Sequence, residues 1–236
     1  MLLIKNFTKT YGDKVAVKDL SLEVEAGDMF GFIGHNGAGK TTTIKAMVGI
    51  LPFDQGEIYI DGHSIKDEPM MCKRLIAYIP DNPTLYEHIT GIQYLNFVAD
   101  IYEISVAERE RLVSKYSNAL GLTKELNDPI SSYSHGMKQK LAVISALIHK
   151  PKLLVLDEPF VGLDPKATHT FKMIMKEFCE EGGAVFFSTH ILEVAQKICN
   201  KVGIIRKGEL IAFGEMDQIT ENSSLEDVFL ELTDNE

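Results

Sequence analysis

Short apolar stretches alternate with turn residues along the first sixty positions. Positions 2–4, 15–17 and 20–24 are strand-length apolar pieces, and Gly12-Asp13 lies where a hairpin turn would join two of them. Positions 29–33 form a continuous apolar run that predicts a buried strand. A glycine-rich turn follows, then a helix over about 40–48 that Gly49 and Pro52 stop. Positions 56–60 read as a further strand closed by an Asp61-Gly62 turn. From about 85 to 150 the period becomes helical. Ser105 with Glu108 predicts a capping box, Leu112, Tyr116 and Leu120 recur every four residues, and a helix is expected over about 136–149, ending before Pro151. The strand and helix alternation then returns. The run 153–156 suits a parallel strand covered on both faces. Asp164-Pro165 opens a helix to about 180, with proline at its first position. Positions 184–187 are the next buried strand and 201–206 the last core strand. Positions 208–214 and a terminal helix through 225–230 remain. The pattern predicts an α/β core with a helical insertion: one domain over 1–236, with a core lobe of about 1–84 and 151–236 and a helical lobe of about 85–150.

The length of 236 residues and the apolar fraction of 45% are enough for a full core without staples. Cys72, Cys179 and Cys199 form no CxxC pair and are odd in number. They read as small core hydrophobes in a reducing cytoplasm rather than as a disulfide framework or zinc site. No apolar run is long enough to cross a bilayer, and the first residues lack the regions of a signal peptide, so a soluble chain is expected. The net charge of −10 repels phosphate backbones, and no nucleic acid is expected as a partner.

Two motifs carry chemistry. Gly34-His35-Asn36-Gly37-Ala38-Gly39-Lys40-Thr41 fits GxxxxGK[ST] between a predicted strand and a predicted helix. Such a loop aims backbone N–H groups at phosphate oxygens, and the helix start adds its positive dipole end. Lys40 can reach the β- and γ-phosphates of ATP, and the Thr41 hydroxyl can ligate Mg2+. Asp157 and Glu158 end the apolar run 153–156, at the sheet edge where open α/β folds bind ligands. Asp157 would hold the magnesium shell, and Glu158 would act as general base on water. An acid at that edge could instead cap the next helix. The adjacent phosphate loop favours the catalytic role.

With Tyr133-Ser134-His135-Gly136-Met137-Lys138-Gln139, similar to an LSGGQ signature at a helix start, the chain resembles the nucleotide-binding subunit of an ABC (ATP-binding cassette) transporter over essentially its whole length. The resemblance implies a P-loop NTPase (RecA-like) core with an N-terminal antiparallel β subdomain and an inserted α-helical subdomain. It makes the chain an ATPase. It places Tyr11 against adenine, gives ATP contacts to Gly34 through Thr41 and to Thr42, and makes His190 the switch histidine at the γ-phosphate. It identifies Gly162-Leu163-Asp164 as the loop that crosses a dimer interface. It also implies that Ser134, His135 and Gly136 contact the ATP of an opposite subunit, either a second copy or a homologous cassette. Ser134, Gly136 and Asp164 would then lie at the dimer interface. Hydrolysis would drive a separate integral-membrane permease, with this subunit at the cytoplasmic face of the membrane. The short tail and the YSxGMKQ form of the signature look like single-cassette bacterial exporter subunits. The alternative is a soluble ABC-type ATPase of DNA repair or translation, which usually fuses two cassettes or carries a long coiled-coil insertion.

Two positions depart from the family pattern. His135 stands where the first glycine of LSGGQ is usual, which brings an imidazole to an expected phosphate site. Asp81, in Ile76-Ala77-Tyr78-Ile79-Pro80-Asp81, stands where a glutamine usually touches magnesium. A carboxylate can still ligate magnesium but donates no hydrogen bond when ionised. Asn82, next along, could supply an amide instead.

Overall fold

A computed structural model describes residues 1–221 and 223–234. The chain runs β1 (Leu2–Tyr11), β2 (Lys14–Val24), β3 (Met29–Ile33), α1 (Lys40–Met47), β4 (Gln55–Ile60), β5 (His63–Ser64), α2 (Pro69–Leu75) and β6 (Ile76–Ile79). It continues through α3 (Gly91–Ile101), α4 (Val106–Leu120), α5 (His135–Ile148), β7 (Leu153–Asp157), α6 (Pro165–Glu180) and β8 (Ala184–Thr189). It ends with α7 (Leu192–Ile198), β9 (Lys201–Arg206), β10 (Glu209–Glu215), α8 (Met216–Thr220) and α9 (Leu225–Asp234). The expected single domain over 1–236 includes positions 222, 235 and 236, which lie outside the described residues.

Two sheets form. A four-stranded antiparallel sheet has the order β2-β1-β4-β5, and a six-stranded sheet has the order β10-β9-β3-β8-β7-β6. The larger sheet is parallel except for β10, which returns antiparallel to β9. Its strands read as unbroken apolar runs because both faces are covered. All five residues of β7 are buried, and alternate side chains feed opposite layers. Leu153 and Val155 join the core beneath the antiparallel sheet and α1, whereas Leu154 and Leu156 join the core shared with α3, α4, α5 and α6. Three aromatic rings pack at a tilt through the first layer: the Phe30 ring centroid lies 5.1 Å from that of Phe186, and that of Phe186 lies 5.3 Å from that of Phe32.

Several sequence expectations need correction. The pieces 2–4, 15–17 and 20–24 belong to two long strands, joined by the predicted Gly12-Asp13 turn. Bulges at Asn6 and Asp19, both in left-handed backbone, break the alternation; the Asn6 amide donates to Asp19 Oδ1 at 2.8 Å. Positions 201–206 are not the last strand, since β10 pairs beyond them. The Ser105 box is half made. Ser105 Oγ accepts from the Glu108 amide at 3.4 Å, but the Glu108 carboxylate turns to Arg111 and Lys150. A complete box forms instead at Thr90 and Gln93, which open α3. All three cysteines are free and buried.

Candidate functional site

Every element of the larger sheet that bears predicted chemistry ends at the same edge. The loop after β3 runs into α1, whose N-cap is Gly39 with φ +117°. That left-handed conformation suits only glycine. A Cβ there would also meet the Ala16 carbonyl at 2.9 Å. Gly39 offers no capping oxygen, and no acid lies in the first turn of α1. The first N–H groups of α1 therefore keep their hydrogen-bonding capacity, and the dipole end faces outward, as an anion site requires. Lys40 opens the helix, nearly buried, and its ammonium donates to the Gly34 carbonyl at 2.6 Å and the His35 carbonyl at 3.2 Å. Burial pushes its pKa down, and the nearby charges of Glu158 and Asp157 push back. A desolvated cation held only by carbonyls is prepared to meet an anion.

Asp157 is the last residue of β7 and is buried. Both its oxygens are held: Ser188 Oγ donates to Oδ1 at 2.5 Å and Thr41 Oγ1 to Oδ2 at 3.0 Å. Glu158 follows with φ +50°, a left-handed conformation that costs a residue other than glycine about 1–3 kcal/mol. Its amide reaches both the carbonyl and the hydroxyl of Ser188. This turn lifts the Glu158 side chain out of the sheet, where Oε1 meets His190 Nδ1 at 2.8 Å. With an ionised carboxylate as acceptor, Nδ1 carries the proton.

Lys40, Thr41, Asp157 and Glu158 border a cleft of about 390 Å³, whose wall is completed by Tyr11, Lys14, Ala16, Asn36, Gly37, Gly39, Thr42 and Asp81; His190 does not wall it and joins it through Glu158. Asp81 is the wall residue there, and its neighbour Asn82 is not. Tyr78, beneath it, has its phenol pushed up to about 12 by burial and by the charges of Asp157 and Asp81. The Tyr11 ring is half exposed at the β1–β2 turn, with Lys9 Nζ 5.3 Å from its centroid. Gly34, His35 and Ala38 belong to the same glycine-rich loop but do not wall the cleft.

Ser134, His135 and Gly136 lie apart from this cleft. Ser134 caps α5, accepting from the Met137 amide at 3.3 Å. The His135 ring covers Gly162: a Cβ at 162 would sit 2.2 Å from His135 Cδ2. A Cβ at Gly136 would fall 2.7 Å from the Gly162 carbonyl. The helix tip and the 162–164 loop are thus packed together within one chain, and Lys140 pairs with Asp164 at 3.2 Å. Asp164 also caps α6 through the Ala167 amide.

Lys14, Ala16 and Ser188 are at the site and carried no sequence expectation. Lys14 pairs with Tyr11 across the hairpin, a signal readable from the turn position. Ser188 lies two residues before His190, and nothing in the sequence marks it as the partner of Asp157. Among the described residues no group of three or more His, Cys, Asp or Glu is clustered to hold a metal alone. The Thr41 hydroxyl and Asp157 carboxylate nevertheless form a hard-oxygen pair beside the glycine-rich loop 34–41. That donor set fits magnesium, which takes few protein ligands and completes its shell with phosphates and water.

The family model described as "ABC transporter" matches residues 17–161. The linearmycin resistance ATP-binding protein LnrL of Bacillus subtilis is 36% identical over 214 residues, covering 91% of this chain and 69% of that protein. A structure of an ATP-binding subunit of an ABC transporter superposes with a TM-score of 0.95 at 36% identity, covering 99% of both chains. A dimeric post-hydrolysis structure of the ATP-binding cassette MJ0796, bound to ADP and Pi, superposes with a TM-score of 0.83 at 24% identity. It covers 92% of this chain and 99% of that one, a likeness of fold.

Proposed function

Since this chain belongs to the ABC transporter family and is an ATP-binding, ATP-hydrolysing subunit, we propose that it acts as a head-to-tail dimer driving a separate membrane permease. One observation carries the hydrolytic site: Lys40, Thr41, Asp157, Glu158 and His190 converge on one sheet edge beside an uncapped helix start. In this reading Lys40 leaves its carbonyl partners for the β- and γ-phosphates. Thr41, Asp157 and Asp81 would hold magnesium, which supplies neutralisation of phosphate charge. Glu158 takes a proton from the attacking water. His190 orients Glu158 and contacts the γ-phosphate. Tyr11 offers its ring to adenine, and the loop from Gly34 through Thr41, with Thr42, cradles the phosphates.

The second half of the centre has to come from elsewhere. The Ser134–Gly136 tip packs on its own Gly162 and does not wall its own cleft. A second copy, or a homologous cassette, would bring the Ser134 hydroxyl and the N-terminal N–H groups of α5 onto the phosphate, with Asp164 at the interface. No helix among the described residues is long and apolar enough to cross a membrane, and in this reading the spanning part is the separate permease. We place the subunit peripherally, at the cytoplasmic face. The resistance named for LnrL supports export as the direction.

Phosphate release from ATP tests the reading. Magnesium-dependent turnover is expected in the wild type, and its absence would overturn the proposal. Asp81→Ala should shift the magnesium dependence, and an unchanged profile removes Asp81 from the site. Co-purification with an integral-membrane protein tests the permease.

A further inference from the structure

The C-terminal helix α9 reaches back to the phosphate loop. Phe229, buried on the inner face of α9, meets the His35 ring edge to face, with centroids 4.9 Å apart and planes at 65°. His35 is the second residue of the loop, and its carbonyl is one of the two that hold the Lys40 ammonium. The side chain of His35 is thus gripped from outside the loop while its main chain positions the lysine inside. The N-terminal end of α9 is anchored to α7. The amide of the fully buried Leu225 donates to Gln196 Oε1 at 3.1 Å, on α7, which begins two residues after His190. The Leu232 carbonyl accepts from Arg206 at the end of β9, the strand beside β3. One short helix therefore braces the phosphate loop and the helix after His190 together.

We propose that Phe229 is a positioning residue for nucleotide, acting through His35 to preorganise the phosphate loop. This rests on the reading of 34–41 as the phosphate cradle. A loop already ordered before binding loses less conformational freedom when phosphate arrives. Removing the ring leaves that ordering to be supplied at the moment of binding, so the loss falls on affinity. The chemistry at Glu158 lies outside the contact and keeps its rate.

The test uses the full chain and two readouts: ADP affinity by calorimetry, which involves no turnover, and the KM and kcat of ATP hydrolysis. From the worth of an edge-to-face ring pair, Phe229→Ala is expected to weaken ADP binding and raise KM for ATP by roughly 3- to 10-fold, with kcat little changed. Phe229→Leu keeps an apolar anchor for α9. It is expected to retain the wild-type melting temperature yet show the raised KM. The double variant His35→Ala/Phe229→Ala should bind ADP no more weakly than the worse single variant, because both remove one contact. Wild-type ADP affinity and KM in a folded Phe229→Leu protein, or additive losses in the double variant, would overturn the inference. Wild-type protein that binds no ADP would sink the phosphate-cradle reading itself, a separate outcome.

Discussion

Glu158 holds a left-handed backbone conformation at the end of a fully buried strand, and its amide is fixed twice by Ser188. Backbone strain at a side chain facing a cleft is retained only where the surroundings over-determine it. The proposed role explains why it is kept there. Glu158→Gln preserves size and removes the basic oxygen, so phosphate release should fall by about 10²–10⁴-fold while ATP still binds. Rapid hydrolysis by this variant would exclude Glu158 as the base. His135 is a different case. Its ring lies over Gly162, and the backbone N–H groups that a phosphate would use do not depend on it. His135→Gly should therefore retain phosphate release. At 162 the φ of +81° and the ring both exclude a side chain. Gly162→Ala should lower stability by about 1 kcal/mol or more in the wild type, and by less in the His135→Gly background. Equal losses in thermal melts of the two backgrounds would show that the ring moves aside freely.

At the scale of elements, the caps of α3 and α4 show how similar signals differ in outcome. Thr90 and Gln93 satisfy each other's backbone amides, and Thr90→Ala should cost about 1 kcal/mol in urea unfolding. Ser105 has the same sequence signature, but Glu108 is drawn away. Hydrogen bonds from Arg111 first and then Lys150, with their charges, hold its carboxyl down to about 2. Lys150 follows α5, so this pair links the start of α4 to the end of α5. A depressed carboxylate stabilises the folded state above its ordinary value of 4.5, and the contribution is lost as pH falls from 4.5 to about 2. The stability gap between wild type and Glu108→Gln should be present at neutral pH and close by about pH 2. A gap that persists at low pH would mean that the carboxylate charge is not its source.

For the molecule as a whole, the proposed dimer makes each centre from two chains. A two-fold arrangement brings the phosphate loop of one copy to the helix tip of the other, and the reverse. Glu158→Gln should therefore shift from monomer to dimer on gel filtration when ATP is added. Lys40→Ala and Ser134→Ala should each abolish turnover alone, because both centres are then damaged. Mixing the two should restore it, since the mixed dimer pairs one intact phosphate loop with one intact tip. No recovery from two folded, mixing-competent variants would rule out the shared centre.

The placing of the glycine-rich loop between β3 and α1, of Asp157 and Glu158 at the end of β7 and of Ser134 at the start of α5 was legible in the sequence because each depends on residue types at fixed local spacing. So were the buried parallel strands, whose apolar runs reflect cover on both faces, and the α6 start at Asp164-Pro165. The bulged lengths of β1 and β2 were not legible, because left-handed residues at Asn6 and Asp19 interrupt the period of two. Nor was β10, which owes its place to pairing with β9 rather than to its own half-exposed pattern. The grip of Ser188 on Asp157, the seat of His135 on Gly162 and the contact of Phe229 with His35 join positions 31, 27 and 194 residues apart. Local chemistry is written in order along the chain, whereas contacts at such separations exist only once packing has selected which surfaces meet.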